Sequence, residues 1–169
     1  WARVDGFRSI KFGMDEKQVT RAISKEFKIS RSKVKRKVHP SEQTTTLNIT
    51  VPNLLQTGGT AKLGFILGQK SRKLIQVNVI WGFEVMENFK PEEIFEAANL
   101  LRDHFMKKRY QKDGLASNFQ LNENTMLVFR GKDKKEHMIA LTLITPVVKD
   151  GDKKKTVLEK TVLKLSYLL

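Results

Sequence analysis

The stretch Phe12-Gly13-Met14-Asp15-Glu16-Lys17-Gln18-Val19 decides how this chain is read. Asp15 suits a helix N-cap, where its carboxylate accepts from the free N–H groups of the first turn. Gln18, three residues on, completes a capping box, and Met14 with Val19 forms a hydrophobic staple. The same spacing returns at Phe89-Lys90-Pro91-Glu92-Glu93-Ile94. There Phe89 and Ile94 make the staple, Pro91 takes the first helical position and Glu93 the third.

Working outward from these two starts, Val19, Ala22, Ile23 and Phe27 keep the i, i+3, i+4 rhythm and predict a helix over 15–27. A second helix is predicted over 91–110, with Ile94, Ala97, Ala98, Leu101, Phe105 and Met106 as its buried stripe. Strict alternation at Thr45, Leu47, Ile49 and Val51 predicts a half-buried strand. Ala61 to Leu67 and residues 74–81 repeat the pattern, so three strands with short links form a meander. Residues 126–130, 137–145 and 156–168 supply three more. The Lys33-Val34-Lys35-Arg36-Lys37-Val38 run has the pattern of a further strand with one wet face, ended by Pro40 and Ser41.

The expected fold is therefore α+β: two helix-plus-three-strand repeats forming one antiparallel sheet of about six strands, both helices on one face. Residues 1–82 and 83–169 are the two units, sharing one core, because neither hides its sheet face alone. At 169 residues and 40% hydrophobic composition the chain is long enough for such a core.

The charge is the strongest functional signal. There are 32 Lys+Arg against 18 Asp+Glu, a formal charge of +14. This predicts attraction to polyanions, whether an acidic protein, an anionic surface or nucleic acid. The cations concentrate in segments, of which Arg31, Lys33, Lys35, Arg36 and Lys37 form one and Lys107, Lys108 and Arg109 another. These eight are the candidate partner-binding residues. Further cations stand at Lys132, Lys134, Lys135, Lys149 and Lys153 to Lys155. Separate solvated faces would account for the same residues. A single-strand nucleic-acid site adds exposed aromatics, but Phe27 and Phe105 are needed by the core.

No catalytic set emerges. The chain has no cysteine, which removes disulfides, zinc–thiolate sites, iron–sulfur clusters and thiol nucleophiles. His39, His104 and His137 stand far apart with no metal-ligand spacing. Glu92, Glu93 and Glu96 are explained by the helix dipole. Thr57-Gly58-Gly59-Thr60 lacks the lysine and following helix of a phosphate loop, and Asp150-Gly151-Asp152 lacks the remaining ligands of a calcium loop. No cofactor and no enzymatic activity are expected. No apolar run approaches the roughly 20 residues of a membrane-spanning helix. The first residue is Trp1, which a removed signal peptide would account for, as would a cloning boundary.

Lys11 to Val19 resembles the Gly-Met-Thr-x-x-Gln-Val helix start of small bacterial envelope proteins, among them the SmpA/OmlA lipoproteins of the barrel-assembly machinery. The tandem helix-and-sheet plan is similar to the β-lactamase-inhibitor-protein-like fold. The chain departs from both patterns: it has no lipidation cysteine, no disulfides, and Lys25-Glu26-Phe27-Lys28 where Leu-Gly-x-Pro would follow the first helix. The resemblance implies a non-enzymatic periplasmic or secreted protein that binds another protein, and it transfers no binding residues. A nucleic-acid-binding domain is the alternative. A third reading is an enzyme subunit or domain whose active residues lie partly outside this segment.

Overall fold

The computed structural model describes residues 1–169. In chain order the elements are β1 (Gly6–Phe7), β2 (Ile10–Lys11), α1 (Glu16–Phe27), β3 (Lys35–Val38), β4 (Thr45–Val51), β5 (Ala61–Leu67), β6 (Leu74–Gly82) and α2 (Pro91–Met106). There follow β7 (Ala116–Gln120), β8 (Thr125–Lys132), β9 (Met138–Ile144), β10 (Val147–Asp150), β11 (Lys153–Thr156) and β12 (Val162–Leu168). One eight-stranded antiparallel sheet, in the order β3-β4-β5-β6-β12-β9-β8-β7, forms the body of the molecule. The pairs β1–β2 and β10–β11 are separate two-stranded hairpins.

This corrects the expected fold. The main sheet has eight strands rather than about six, and the plan is not two helix-plus-three-strand repeats. Two edge strands make the difference. β3 is the basic run whose wet-faced strand pattern stood outside the expected repeats. β7, Ala116-Ser117-Asn118-Phe119-Gln120, has no buried residue, and Asn118 sits at φ +52°. An edge strand buries little on either face, so it leaves almost no hydrophobic alternation to detect.

The first helix begins as its residues dictate. Asp15 accepts from the N–H of Gln18 at 2.9 Å, and Gln18 Oε1 accepts from the N–H of Asp15 at 2.9 Å. Val19 and Ile23 are buried. The second helix ends at Met106, four residues before the expected end, and Met106 is 55% exposed rather than buried. The chain leaves the helix to send Tyr110 back into the core, where its ring lies 5.1 Å from Phe129. A Cβ on Gly131 would stand 2.7 Å from the Tyr110 ring, so only glycine lets that ring lie on β8.

The ladder sets one row of side chains across the sheet: Leu47 beside Phe65, Phe65 beside Val77, Val77 beside Tyr167, Tyr167 beside Ile139. This face joins Val19 and Ile23 of α1 and Ile94, Ala97, Ala98, Leu101 and Phe105 of α2 in one core of 28 buried residues. Each fully buried large side chain, such as Phe65, Trp81 or Phe129, contributes roughly 1.5–3 kcal/mol. The opposite face carries Asn48, Gly64, Asn78, Ser166 and Ala140 in the adjacent row, with no helix over them.

The N-terminal segment is tied down by a polar latch. Asp133, 3% exposed, accepts from the N–H groups of Val4 (2.8 Å), Lys135 (2.9 Å) and His137 (3.1 Å). His137 Nδ1 lies 2.7 Å from the Val4 carbonyl, which can only accept, so Nδ1 carries the proton.

Candidate functional site

The first basic segment follows α1. Lys28, in the left-handed conformation, caps the helix with its N–H on Ser24 C=O. Ser30 then opens a short 3-10 turn, Arg31–Lys33, and the chain enters β3. All four residues of β3 are exposed. Its outer edge has no partner, because β3 pairs only with β4.

Together these elements wall an open groove of about 940 Å³. Lys28, Lys33, Lys35, Arg36, Lys37 and Lys62 line it, with Ser30, Asn48 and Thr50 as neutral polar groups. No carboxylate and no aromatic side chain is among the lining residues. Register explains the grouping. Lys35 stands beside Asn48, and Thr50 beside Lys62, all on the face without helices. Arg36 is on the other face, where its Nε donates to both Glu16 oxygens at 3.2 Å. That pair ties β3 to α1 and spends the charge of Arg36. With both side chains about half exposed, it contributes roughly 0–1 kcal/mol.

The structure divides the eight predicted cations. Lys33, Lys35, Arg36 and Lys37 meet in the groove. Arg31 stands outside it, beside Lys17 and Arg21 of α1. Lys107, Lys108 and Arg109 lie past the end of α2, where Gln111 N–H donates to Lys132 C=O of β8. Five strands separate β8 from β3. At about 4.8 Å per strand the two sets are roughly 29 Å apart. Arg109 is also engaged: its guanidinium lies 4.7 Å from the Trp1 ring centroid, with Lys134 Nζ at 4.9 Å.

Lys28 and Lys62 are groove residues outside the predicted set. Lys28 belongs to the same basic run. Lys62 was detectable from alternation, since it falls between Ala61 and Leu63 on the outward face of β5, but its neighbour across the ladder was not. The overall charge is also unevenly spread. Residues 1–82 hold 16 Lys+Arg and 5 Asp+Glu, and residues 83–169 hold 16 and 13. The groove lies wholly in the first, strongly basic half.

The histidines are scattered. His39 Nδ1 accepts from the N–H of Glu42 at 3.1 Å, His104 meets the Phe105 ring edge-on, and His137 serves the latch. No group of three or more His, Asp or Glu side chains is placed to hold a metal. Glu96 accepts from Thr57 Oγ1 at 3.1 Å, tying the loop after β4 to α2. The Glu26 carboxyl is held below its ordinary value by hydrogen bonds from Ser9 Oγ (2.7 Å) and Ser9 N–H (3.2 Å), with help from Arg8. No helix is long and apolar enough to cross a membrane. Comparison with protein-family models, with curated proteins and with solved structures finds no match.

Proposed function

We propose that this chain is a non-enzymatic binding module whose basic groove and β3 edge hold an acidic, extended segment of a protein partner. The observation that carries this reading is the unpaired edge of β3 standing beside five lysines, Lys28, Lys33, Lys35, Lys37 and Lys62, that no carboxylate neutralises. In the β3–β4 hairpin, His39 N–H donates to Thr44 C=O at 2.8 Å, which marks that pair as hydrogen-bonded. Alternation along the ladder then turns the N–H and C=O of Arg36 and Val38 outward. An added strand would take those main-chain groups, and its acidic side chains would meet Lys33, Lys35, Lys37 and Lys62.

Lysines on an edge strand also guard against edge-to-edge aggregation. That accounts for Lys35 and Lys37. It does not account for Lys28, Lys33 and Lys62, which lie off the edge and still converge. Nucleic acid is the second reading, since the same cations would track a phosphate backbone. The absence of any aromatic in the groove weighs against it, because single-strand sites stack bases. The periplasmic or secreted setting implied by the local helix-start resemblance belongs to the same proposal.

A labelled Glu-Thr repeat peptide, titrated against a single-stranded oligonucleotide of equal charge at low and near-physiological salt, tests the reading. At the higher salt the peptide is expected to bind better than the oligonucleotide, whose phosphate-backbone attraction falls steeply with salt. Three reversals, Lys35→Glu, Lys37→Glu and Lys62→Glu, each worth roughly 0.5–1 kcal/mol, should weaken it about ten- to a hundredfold. Tighter oligonucleotide binding, or no effect of the reversals, would overturn it.

A further inference from the structure

We propose that the apolar pocket beside Arg8 binds a small organic anion with a hydrocarbon body, of the medium-chain carboxylate class. The pocket lies on the helix side of the sheet, between the β1–β2 turn, the loop after β4 and α2, and is independent of the basic groove. Its volume of about 410 Å³ falls within the roughly 300–1,000 Å³ of small-molecule sites. Leu54, Leu55, Leu100 and Phe105 supply apolar wall, and Trp81 and Tyr167 are also in its lining. Among the lining residues only Arg8 and His104 carry basic groups.

Arg8 is the feature that selects the ligand. It occupies the β1–β2 turn at φ +54°, a conformation that favours glycine or asparagine. Arg8 belongs to none of the ion pairs of the fold. Its guanidinium reaches only the Leu54 carbonyl, at a long 3.4 Å, and lies 5.4 Å and 5.7 Å from the Phe7 and Phe27 ring centroids. The neighbouring carboxylate, Glu26, bonds Ser9 through Oε1 and makes no ion pair with Arg8, which acts on it only at longer range. A carboxylate head would give Arg8 the bidentate partner it lacks, while the alkyl chain covered the leucine and phenylalanine wall. Burial pushes the Tyr167 hydroxyl up, so this lining side chain adds no competing anion. Trp81, whose Nε1–H has no partner in the fold, places a fluorophore at the site.

The test is tryptophan fluorescence of the full chain carrying Trp1→Phe, so that Trp81 alone reports. Decanoate, decanol and decyltrimethylammonium are titrated as monomers. Saturable binding of decanoate is expected, about tenfold tighter than decanol or the cation, which is what one charge-assisted hydrogen bond contributes. Arg8→Gly suits the left-handed turn and should keep the fold. It should weaken decanoate about tenfold and leave decanol unchanged, while Arg8→Lys retains most of the affinity. Unsaturable quenching, equal affinity for the three amphiphiles, or wild-type decanoate affinity in Arg8→Gly would each overturn the proposal.

Discussion

Removing the carboxylate of Asp133 should detach the N-terminal segment from the body of the protein. Asp133 lies in the turn between β8 and β9 and is almost wholly buried. Its Oδ1 accepts from Lys135 and His137 within the turn, and its Oδ2 accepts from Val4, which is 129 residues away in sequence. In Asp133→Ala the buried Val4 donor loses its acceptor, at about 1–3 kcal/mol, and the two half-buried turn donors lose about 0.5–1.5 kcal/mol each. The sum is about 4 kcal/mol, a large part of the 5–15 kcal/mol that holds a typical domain. Asp133→Asn separates the two roles. An asparagine can keep its oxygen toward Lys135 and His137 but presents an amide donor to Val4, so about half the loss, ~2 kcal/mol, is expected. Urea unfolding measures the totals, and amide exchange localises them: in Asp133→Asn the Val4 amide should exchange faster while the Lys135 amide stays protected. Equal losses in the two variants, or a change below about 0.5 kcal/mol in Asp133→Ala, would refute the latch.

Other positions give equally definite expectations. Gly82 sits at φ +102°, and a Cβ there would stand 2.3 Å from the Thr161 carbonyl oxygen, at the point where β6 and β12 part. Gly82→Ala should therefore cost more than about 2 kcal/mol in thermal or urea unfolding, through both clash and strain. Asp15→Ala removes one arm of the capping box of α1 and should cost about 1 kcal/mol, with Gln18→Ala smaller and the double variant less than additive. Glu26 has a folded pKa lowered from 4.5 by Ser9, so its contribution is complete above 4.5 and is lost as pH falls through the lowered folded value. The stability gap between wild type and Glu26→Gln, read by urea unfolding, should be full near pH 6 and close progressively below 4.5.

What was legible in the sequence follows from how each element is stabilised. The α1 start is local chemistry: Asp15 and Gln18 satisfy each other within four residues, and both hydrogen bonds are there. β4 and β5 bury alternate side chains, and their expected spans match the structure. The end of α2 was not legible, because it depends on Tyr110 meeting Phe129 and Gly131, a tertiary demand that local residues do not announce. β7 was hidden for the reason that makes it an edge: almost nothing on it is buried. Of the candidate site, Lys33, Lys35, Arg36 and Lys37 were visible as a charge run. Their convergence with Lys62 was not, since it rests on the β3–β4–β5 register. That Arg36 is spent on Glu16 and Arg109 on Trp1 depends on long-range contacts of the same kind.

The most direct test of the account is the amide exchange of β3 with and without an acidic extended peptide. Strand addition at the free edge predicts slower exchange at the outward-facing N–H groups of Arg36 and Val38. Lys35 and Lys37, already bonded to β4, should change little. Slowing confined to the outward pair, and abolished by Lys35→Glu with Lys37→Glu, is the expected result. Binding that leaves the Arg36 and Val38 amides unchanged, or that protects the Lys107 to Arg109 region instead, would contradict the assignment of the partner site to this edge.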